Sequence, residues 1–147
     1  DAVVASFLEF LDHVSDLVAL ALGATHDTVE LAQARGQAAA RLSTMKDDIR
    51  RACRQPDLSI HDVAARHDVT PRYVQRIFEE AGATFTQYLT EQRLLSAHRA
   101  LRRSASTPAT ISTVAYESGF SDVSHFNRLF RRRFGCTPSD LRKSAKS

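Results

Sequence analysis

Cysteine, glycine and proline are scarce in this 147-residue sequence, with two, five and four of each. Cys53 and Cys136 lie far apart and form no Cys-x-x-Cys, so they read as reduced thiols of a cytosolic protein rather than a disulfide framework. No two glycines are closer than thirteen residues, which excludes Gly-x-Gly-x-x-Gly and the phosphate-binding P-loop, and no Gly-x-Ser-x-Gly occurs. The six histidines lack His-Glu-x-x-His spacing; His61 and His67 are six apart and belong to different helix faces, so no metal site is expected. The longest apolar stretch, near Leu17–Leu22, falls well short of the ~18–20 residues a membrane span needs. No basic segment precedes an apolar one in the manner of a signal peptide. Strand-like alternation is absent. Glu79-Glu80 and Asp47-Asp48 are adjacent carboxylates that a helix turns to different faces, unsuited to paired acid/base work. An enzyme, a cofactor and a membrane partner are therefore not expected.

The charge that is present is unevenly placed. Residues 1–43 hold six acids and two bases, net −4; residues 44–147 hold eleven acids and eighteen bases, net +7. A basic segment joined to an acidic one suggests a polyanion partner for the second part only. Seventeen of the twenty bases are arginine, which pairs with phosphate and guanine in a bidentate fork. A GC-rich genome also yields arginine-rich, lysine-poor chains, so composition alone does not decide between the two.

The sequence opens at Asp1, without an initiating Met, inside a helical apolar period of Val4, Phe7, Leu11, Val14, Val18 and Ala21, widened by Phe10 and Leu17. Gly23 is a candidate C-terminal stop, and Asp27-x-x-Glu30 a capping box for a second helix to about Leu42. These helices are too few to cover their own apolar face, which calls for another chain or a preceding domain. From Thr44 the helix starts are legible: Thr44-x-x-Asp47, Ser59-x-x-Asp62, Thr70-Pro71, Thr84-x-x-Gln87, Thr110, Ser121-Asp122 and Thr137-Pro138-Ser139-Asp140. Pro56-Asp57 and the small-residue segment Ser104–Pro108 separate them. The expectation is an all-α chain of about nine helices.

Two stretches share one grammar, offset by 51 residues: Val63-Ala64-Ala65-Arg66-His67-Asp68-Val69-Thr70 and Val114-Ala115-Tyr116-Glu117-Ser118-Gly119-Phe120-Ser121. A small Ala lets two helices cross closely. Four residues later Asp or Gly takes a left-handed turn, an apolar residue plugs the angle, and a hydroxyl caps the next helix. That is the arrangement of a helix-turn-helix, present twice. In the helices that follow, Val74, Ile77 and Phe78, and then Phe126, Leu129 and Phe130, face inward. Arg72, Gln75 and Arg76 remain outside in the first, and Ser124, His125, Asn127 and Arg128 in the second. Arginine suits guanine edges, and glutamine or asparagine suits adenine.

Residues 44–147 thereby resemble the DNA-binding domain of the AraC/XylS family of bacterial transcription regulators. The second half carries the likeness in Ile111, Val114-Ala115, Gly119-Phe120-Ser121, Phe126, Arg128, Phe130-Arg131, Phe134-Gly135, Thr137-Pro138 and Leu141-Arg142. The segment between adds Tyr88-Leu89, Arg93-Leu94, Ala97 and Leu101. Asp68 stands where glycine is frequent, and Leu141 where an aromatic is. Residues 1–43 resemble, loosely, the C-terminal helices of the regulatory domain that precedes this module in the family.

The resemblance implies two homeodomain-like helix-turn-helix units, about 44–83 and 109–143, joined by a linker helix at about 85–103. It implies double-stranded DNA as partner, and a regulator that is an activator, with RNA polymerase a further partner. Base contacts would come from Arg72, Gln75, Arg76, Ser124, Asn127 and Arg128. Phosphate contacts would come from Thr70, Ser121, His125, Arg102, Arg103, Arg131, Arg132 and Thr137. Residues 3–22 would carry homodimer contacts at Val4, Phe7, Leu11, Val14 and Val18, and an effector ligand would bind the missing N-terminal domain. Other readings of the same residues stand beside these. Arg76 and Arg128 can pair with a nearby acid, and Arg93, mid-helix among apolar residues, reads as structural and paired with a buried acid. The run Arg131–Arg133 spans too much helix surface for all three to face DNA. A helical module of this fold that binds a protein instead of DNA is the alternative function.

Overall fold

The computed structural model describes residues 2–103 and 109–145, with side chains at 13–23 and from 25 onward. Among the described residues there are seven helices and no strand: α1 (Ala2–Ala52), α2 (Ile60–Arg66), α3 (Pro71–Glu80), α4 (Phe85–Arg103), α5 (Ile111–Glu117), α6 (Val123–Phe134) and α7 (Pro138–Ser144). The chain divides into two compact units, Asp1–Arg41 and Leu42–Ser147.

From Ala2 to Ala52 the chain is one helix, and along it three expected boundaries are corrected. Gly23 does not stop a helix, Asp27-x-x-Glu30 does not start one, and Thr44-x-x-Asp47 lies inside α1. A glycine in a helix interior costs only about 1 kcal/mol, which good neighbours absorb. Polar side chains serve this helix side on: the Thr25 and Thr28 hydroxyls donate to the Leu22 and Thr25 carbonyls at 2.8 Å each. His26 and Glu30 meet at 2.9 Å one turn apart, and Arg50 pairs with Asp47 three residues away. A capping side chain ends a helix only where the upstream backbone has already left helical geometry. Leu17, Val18, Leu20 and Leu22 are all more than half exposed.

In the second unit the two turns are built alike, bond for bond. Asp68 has φ 51° and Gly119 φ 94°. The Val69 and Phe120 amides donate back to the Ala64 and Ala115 carbonyls at 3.0 and 3.1 Å, and the Asp68 and Gly119 amides to the Ala65 and Tyr116 carbonyls. This is a helix ended by a left-handed residue with an apolar residue behind it. Ala64 and Ala115 are buried, as close crossing of α2 on α3 and α5 on α6 requires.

Most caps form where the sequence places them. Ser59 and Thr137 make reciprocal boxes with Asp62 and Asp140. Thr70 and Thr110 accept from the Tyr73 and Thr113 amides, and Thr84 exchanges bonds with Gln87. The exception is α6: its cap is Asp122, not Ser121, with the Asp122 carboxylate accepting from the His125 amide at 3.0 Å. Either residue type caps well, but the carboxylate also interacts favourably with the positive end of the helix dipole.

Helix α4 is shared by both halves of the core. At its start Phe85 meets Phe78 edge-on at 6.1 Å, and Tyr88 lies 5.5 Å from the same ring. Further along, Leu94, Ala97 and Leu101 join Val114, Ala115, Phe120, Phe126 and Phe130 in one buried cluster. Rings continue outward from there, Phe126 to Phe130 at 5.4 Å, Phe130 to Phe134 at 4.6 Å, and Phe134 to His98 at 4.6 Å.

Arg93 is structural, but its partner is not an acid. Its Nε donates to the Cys53 carbonyl at 2.8 Å, and one Nη donates to the Gln55 and Pro56 carbonyls at 2.8 and 3.1 Å. The end of a helix leaves carbonyls without intrahelical partners, and a five-donor guanidinium suits several at once. Burial pulls the Arg93 group below its ordinary pKa. Gly119 packs against this junction: a Cβ there would lie 2.5 Å from the Cys53 carbonyl oxygen and 2.8 Å from Arg93 Nε.

Gly82 supplies a control, since it has a similar φ of 90° and a Cβ added there would meet nothing within 4 Å. Gly82→Ala should therefore cost only the left-handed conformation, ~1–2 kcal/mol. Gly119→Ala should cost that and the displacement of α1 from Arg93, ~3 kcal/mol or more. Denaturant unfolding of the two variants checks this; equal losses would contradict the close approach.

Candidate nucleic-acid interface

Every residue proposed for base contact is solvent-exposed or half-exposed. Arg72, Gln75 and Arg76 stand on α3, an amphipathic helix whose Val74, Ile77 and Phe78 are buried. Gln75 Nε2 donates to Glu79 Oε1 at 2.9 Å. Arg76 Nε lies 3.8 Å from Glu80, and its guanidinium sits over the Tyr73 ring at 5.4 Å. Both partners of the Arg76–Glu80 pair are about two-thirds exposed, so the pair is worth little and its arginine is available to a stronger anion. With Ile60, His61 and Pro71 these side chains border a hollow of about 610 Å³.

On α6, Ser124, Asn127 and Arg128 are exposed while Phe126 and Phe130 are buried and Leu129 is half-buried. His125 is exposed and lines a groove of about 370 Å³ with Thr86, Thr90, Leu129 and Arg132. Gln75 of the first helix-turn-helix, for its part, lines a hollow with Thr84, Phe85 and Thr86. Thr86 thus borders both recognition helices, and the first turn of α4 lies between them. Sequence pattern does not single out Thr86 or Thr90; the one available signal is a polar face at the start of an otherwise apolar helix.

The helix ends differ between the two units. Thr70 places a neutral hydroxyl at the start of α3, with Pro71 in the first turn. At the start of α6, Ser121 is exposed, and the Asp122 carboxylate is held below the usual carboxylate range, first by the His125 amide. A negative group there occupies the amides that would otherwise greet a phosphate. At α7, Thr137 is half-buried, and its hydroxyl donates to Asp140 Oδ2 at 2.6 Å.

The arginine run resolves by geometry. Arg133 turns to an acid, its Nε 2.9 Å from both Glu91 oxygens and Nη2 at 2.8 Å, a fork that raises its pKa through the hydrogen bonds to Glu91. Arg131 and Arg132 stay exposed, as do Arg102 and Arg103 at the end of α4. No group of three or more His, Cys, Asp or Glu able to hold a metal occurs among the described residues. No helix among them is long and apolar enough to cross a membrane.

Comparison with known proteins gives one consistent answer. The family model described as a helix-turn-helix domain matches residues 63–144. The transcriptional activator RhrA of Rhizobium meliloti (strain 1021) is 39% identical over 105 residues, which cover 71% of this chain and 33% of RhrA. The chain thus spans about a third of that relative's length. Among solved structures, a probable AraC family transcriptional regulator from Rhodopseudomonas palustris CGA009 aligns with a TM-score of 0.67 at 26% identity, covering 74% of this chain and 99% of that one. The DNA-binding domain of AdpA, a global transcriptional factor solved in complex with a target DNA, shares the fold, with a TM-score of 0.60 at 24% identity over 70% of this chain and 90% of its own. With a family model matched over more than half of its length, the chain belongs to the helix-turn-helix domain family of AraC-type transcription regulators.

Proposed function

We propose that this chain reads an asymmetric DNA site through two successive major-groove segments and activates transcription from it. The observation that supports the reading is that Thr86, at the start of the common helix, borders one hollow with Gln75 of α3 and one groove with His125 of α6. A site of this kind presents successive major-groove openings on one side ~34 Å apart. Arg72, Gln75 and Arg76 read bases in one opening, and Ser124, Asn127 and Arg128 in the other. Thr70, His125, Arg131 and Arg132 hold phosphates. Activation is supported by the name of RhrA, and it makes RNA polymerase a partner. An effector ligand, where one acts, is bound by an N-terminal domain, which the share of RhrA left unmatched can accommodate. The chain works in the cytoplasm, where its DNA is.

Residues 3–22 carry homodimer contacts in this reading. Val4, Phe7 and Leu11 lie outside the described side chains; Val14 and Val18 are exposed on α1, 39% and 52%. Val18→Glu should then convert a dimer at tens of micromolar into a monomer in sedimentation, while DNA affinity per chain is kept. A monomer before the substitution would remove the dimer.

The DNA reading is tested by titrating a bound duplex at increasing salt. The logarithm of the binding constant should fall linearly with that of salt, with a slope of about −0.9 for each phosphate contact. Arg131→Ala should reduce that slope by about 1 and weaken all sequences alike. Arg76→Ala should cost ~1–3 kcal/mol and relax preference at one base position. Binding that is absent or indifferent to salt would favour a protein partner for the same surface.

A further inference from the structure

A second basic concavity lies away from the recognition helices. Arg50 from the last turn of α1, Arg54 from the turn just after it, and Arg99 and Arg103 from the end of α4 border one cavity of about 370 Å³, with Glu117 and the buried Ser118 of the α5 terminus. Arg99 and Arg103 are spaced i,i+4 along α4, so like charges meet along that helix and, with Arg50 and Arg54, again across the cavity. Such pairs destabilise a helix when nothing offsets them. Three arginines elsewhere in Leu42–Ser147 have acids: Arg66 has Asp48, Arg76 has Glu80, Arg133 has Glu91. Here Arg50 has Asp47 and Arg54 donates through Nε to the Glu117 carbonyl at 2.9 Å. Arg99 and Arg103 have no acidic partner among the described residues. Four guanidinium groups against two carboxylates, Glu117 at the cavity and Asp47 on Arg50, leave it net positive. The negative ends of two helix dipoles lower the cost of gathering them, so the cavity can stand preformed.

Its position separates it from the recognition helices; Arg103, offered above as a phosphate contact of DNA, is here part of the cavity instead. Thr86 marks the point on α4 that borders both recognition helices. Arg99 and Arg103 lie thirteen and seventeen residues further along the same helix, ~20 and ~25 Å at the rise of an α-helix. Arginine forks match the paired oxygens of phosphate groups.

We propose that the cavity formed by Arg50, Arg54, Arg99 and Arg103 is a binding site for a small phosphorylated anion of diphosphate size, separate from the DNA interface. Bound there, the anion ties the end of α1 to α4 and to α5, the elements that set the second turn at Gly119.

Calorimetric titration of the whole chain with inorganic pyrophosphate, in near-physiological chloride, tests this. One equivalent should bind to the wild type. Arg99→Gln should weaken binding at least tenfold and Arg99→Glu should abolish it, while both variants keep the wild-type melting temperature and DNA affinity. The pyrophosphate dissociation constant should be unchanged when the chain is first saturated with duplex. Absence of binding, or equal binding by the Arg99 variants, would overturn the site. Competitive displacement by duplex would overturn its separateness and assign the arginines to backbone phosphates of DNA. The pyrophosphate arm needs no DNA binding, so its failure and that of the DNA reading are told apart.

Discussion

Three carbonyls that follow the last turn of α1 have no helical partner, and one side chain, Arg93 on α4, reaches all three. The same Cys53 carbonyl and Arg93 Nε form the wall against which Gly119 turns. One guanidinium therefore joins the end of α1, the middle of the linker helix and the turn of the second helix-turn-helix. The apolar core agrees with this arrangement, because α4 gives Phe85 and Leu89 to one side and Leu94, Ala97 and Leu101 to the other. Burying a guanidinium is costly unless its donors are used, and carbonyls use them without adding a charge. The junction is thus specific in geometry: lysine offers no fork, and any side chain at position 119 meets backbone.

Much of this was legible in the sequence because helix-turn-helix chemistry is local. The crossing Ala64 and Ala115, the left-handed Asp68 and Gly119, and the caps at Ser59, Thr70, Thr84, Thr110 and Thr137 each act within a few residues, and they stand where pattern places them. The 51-residue offset between the turns survives as an offset between hydrogen bonds. What was not legible depended on distant partners or on the absence of a break. Arg93 reads as the partner of an acid because sequence shows side chains and not the free carbonyls of a helix end. Arg133 pairs with Glu91, 42 residues earlier, which no spacing rule reveals. Gly23, Asp27 and Thr44 carry the residue types of stops and starts, but α1 runs through all three. Ser121 and Asp122 are neighbours equally able to cap, and only backbone geometry chooses Asp122.

The recognition faces were visible as the polar remainder of two amphipathic helices, and none of the six proposed base readers is buried. Their settings differ in a way that sequence alone does not weigh. On α3 the arginines stand beside a neutral cap and weak, exposed pairings with Glu79 and Glu80. On α6 the cap is an ionised Asp122 near Arg128, which lowers the positive potential at that helix start. The charges are also placed differently: α6 carries the exposed Arg128, Arg131 and Arg132 beyond its acidic cap, while α3 carries Arg72 and Arg76 together with Glu79 and Glu80.

In the function proposed above, both recognition faces engage one duplex at once, held in phase by α4. Selection of bound fragments from random duplex DNA measures this most directly. The account predicts a two-part, non-palindromic consensus whose halves are centred about 10–10.5 base pairs apart, the repeat of the duplex. A consensus confined to one short segment, or two halves with freely variable spacing, would contradict it.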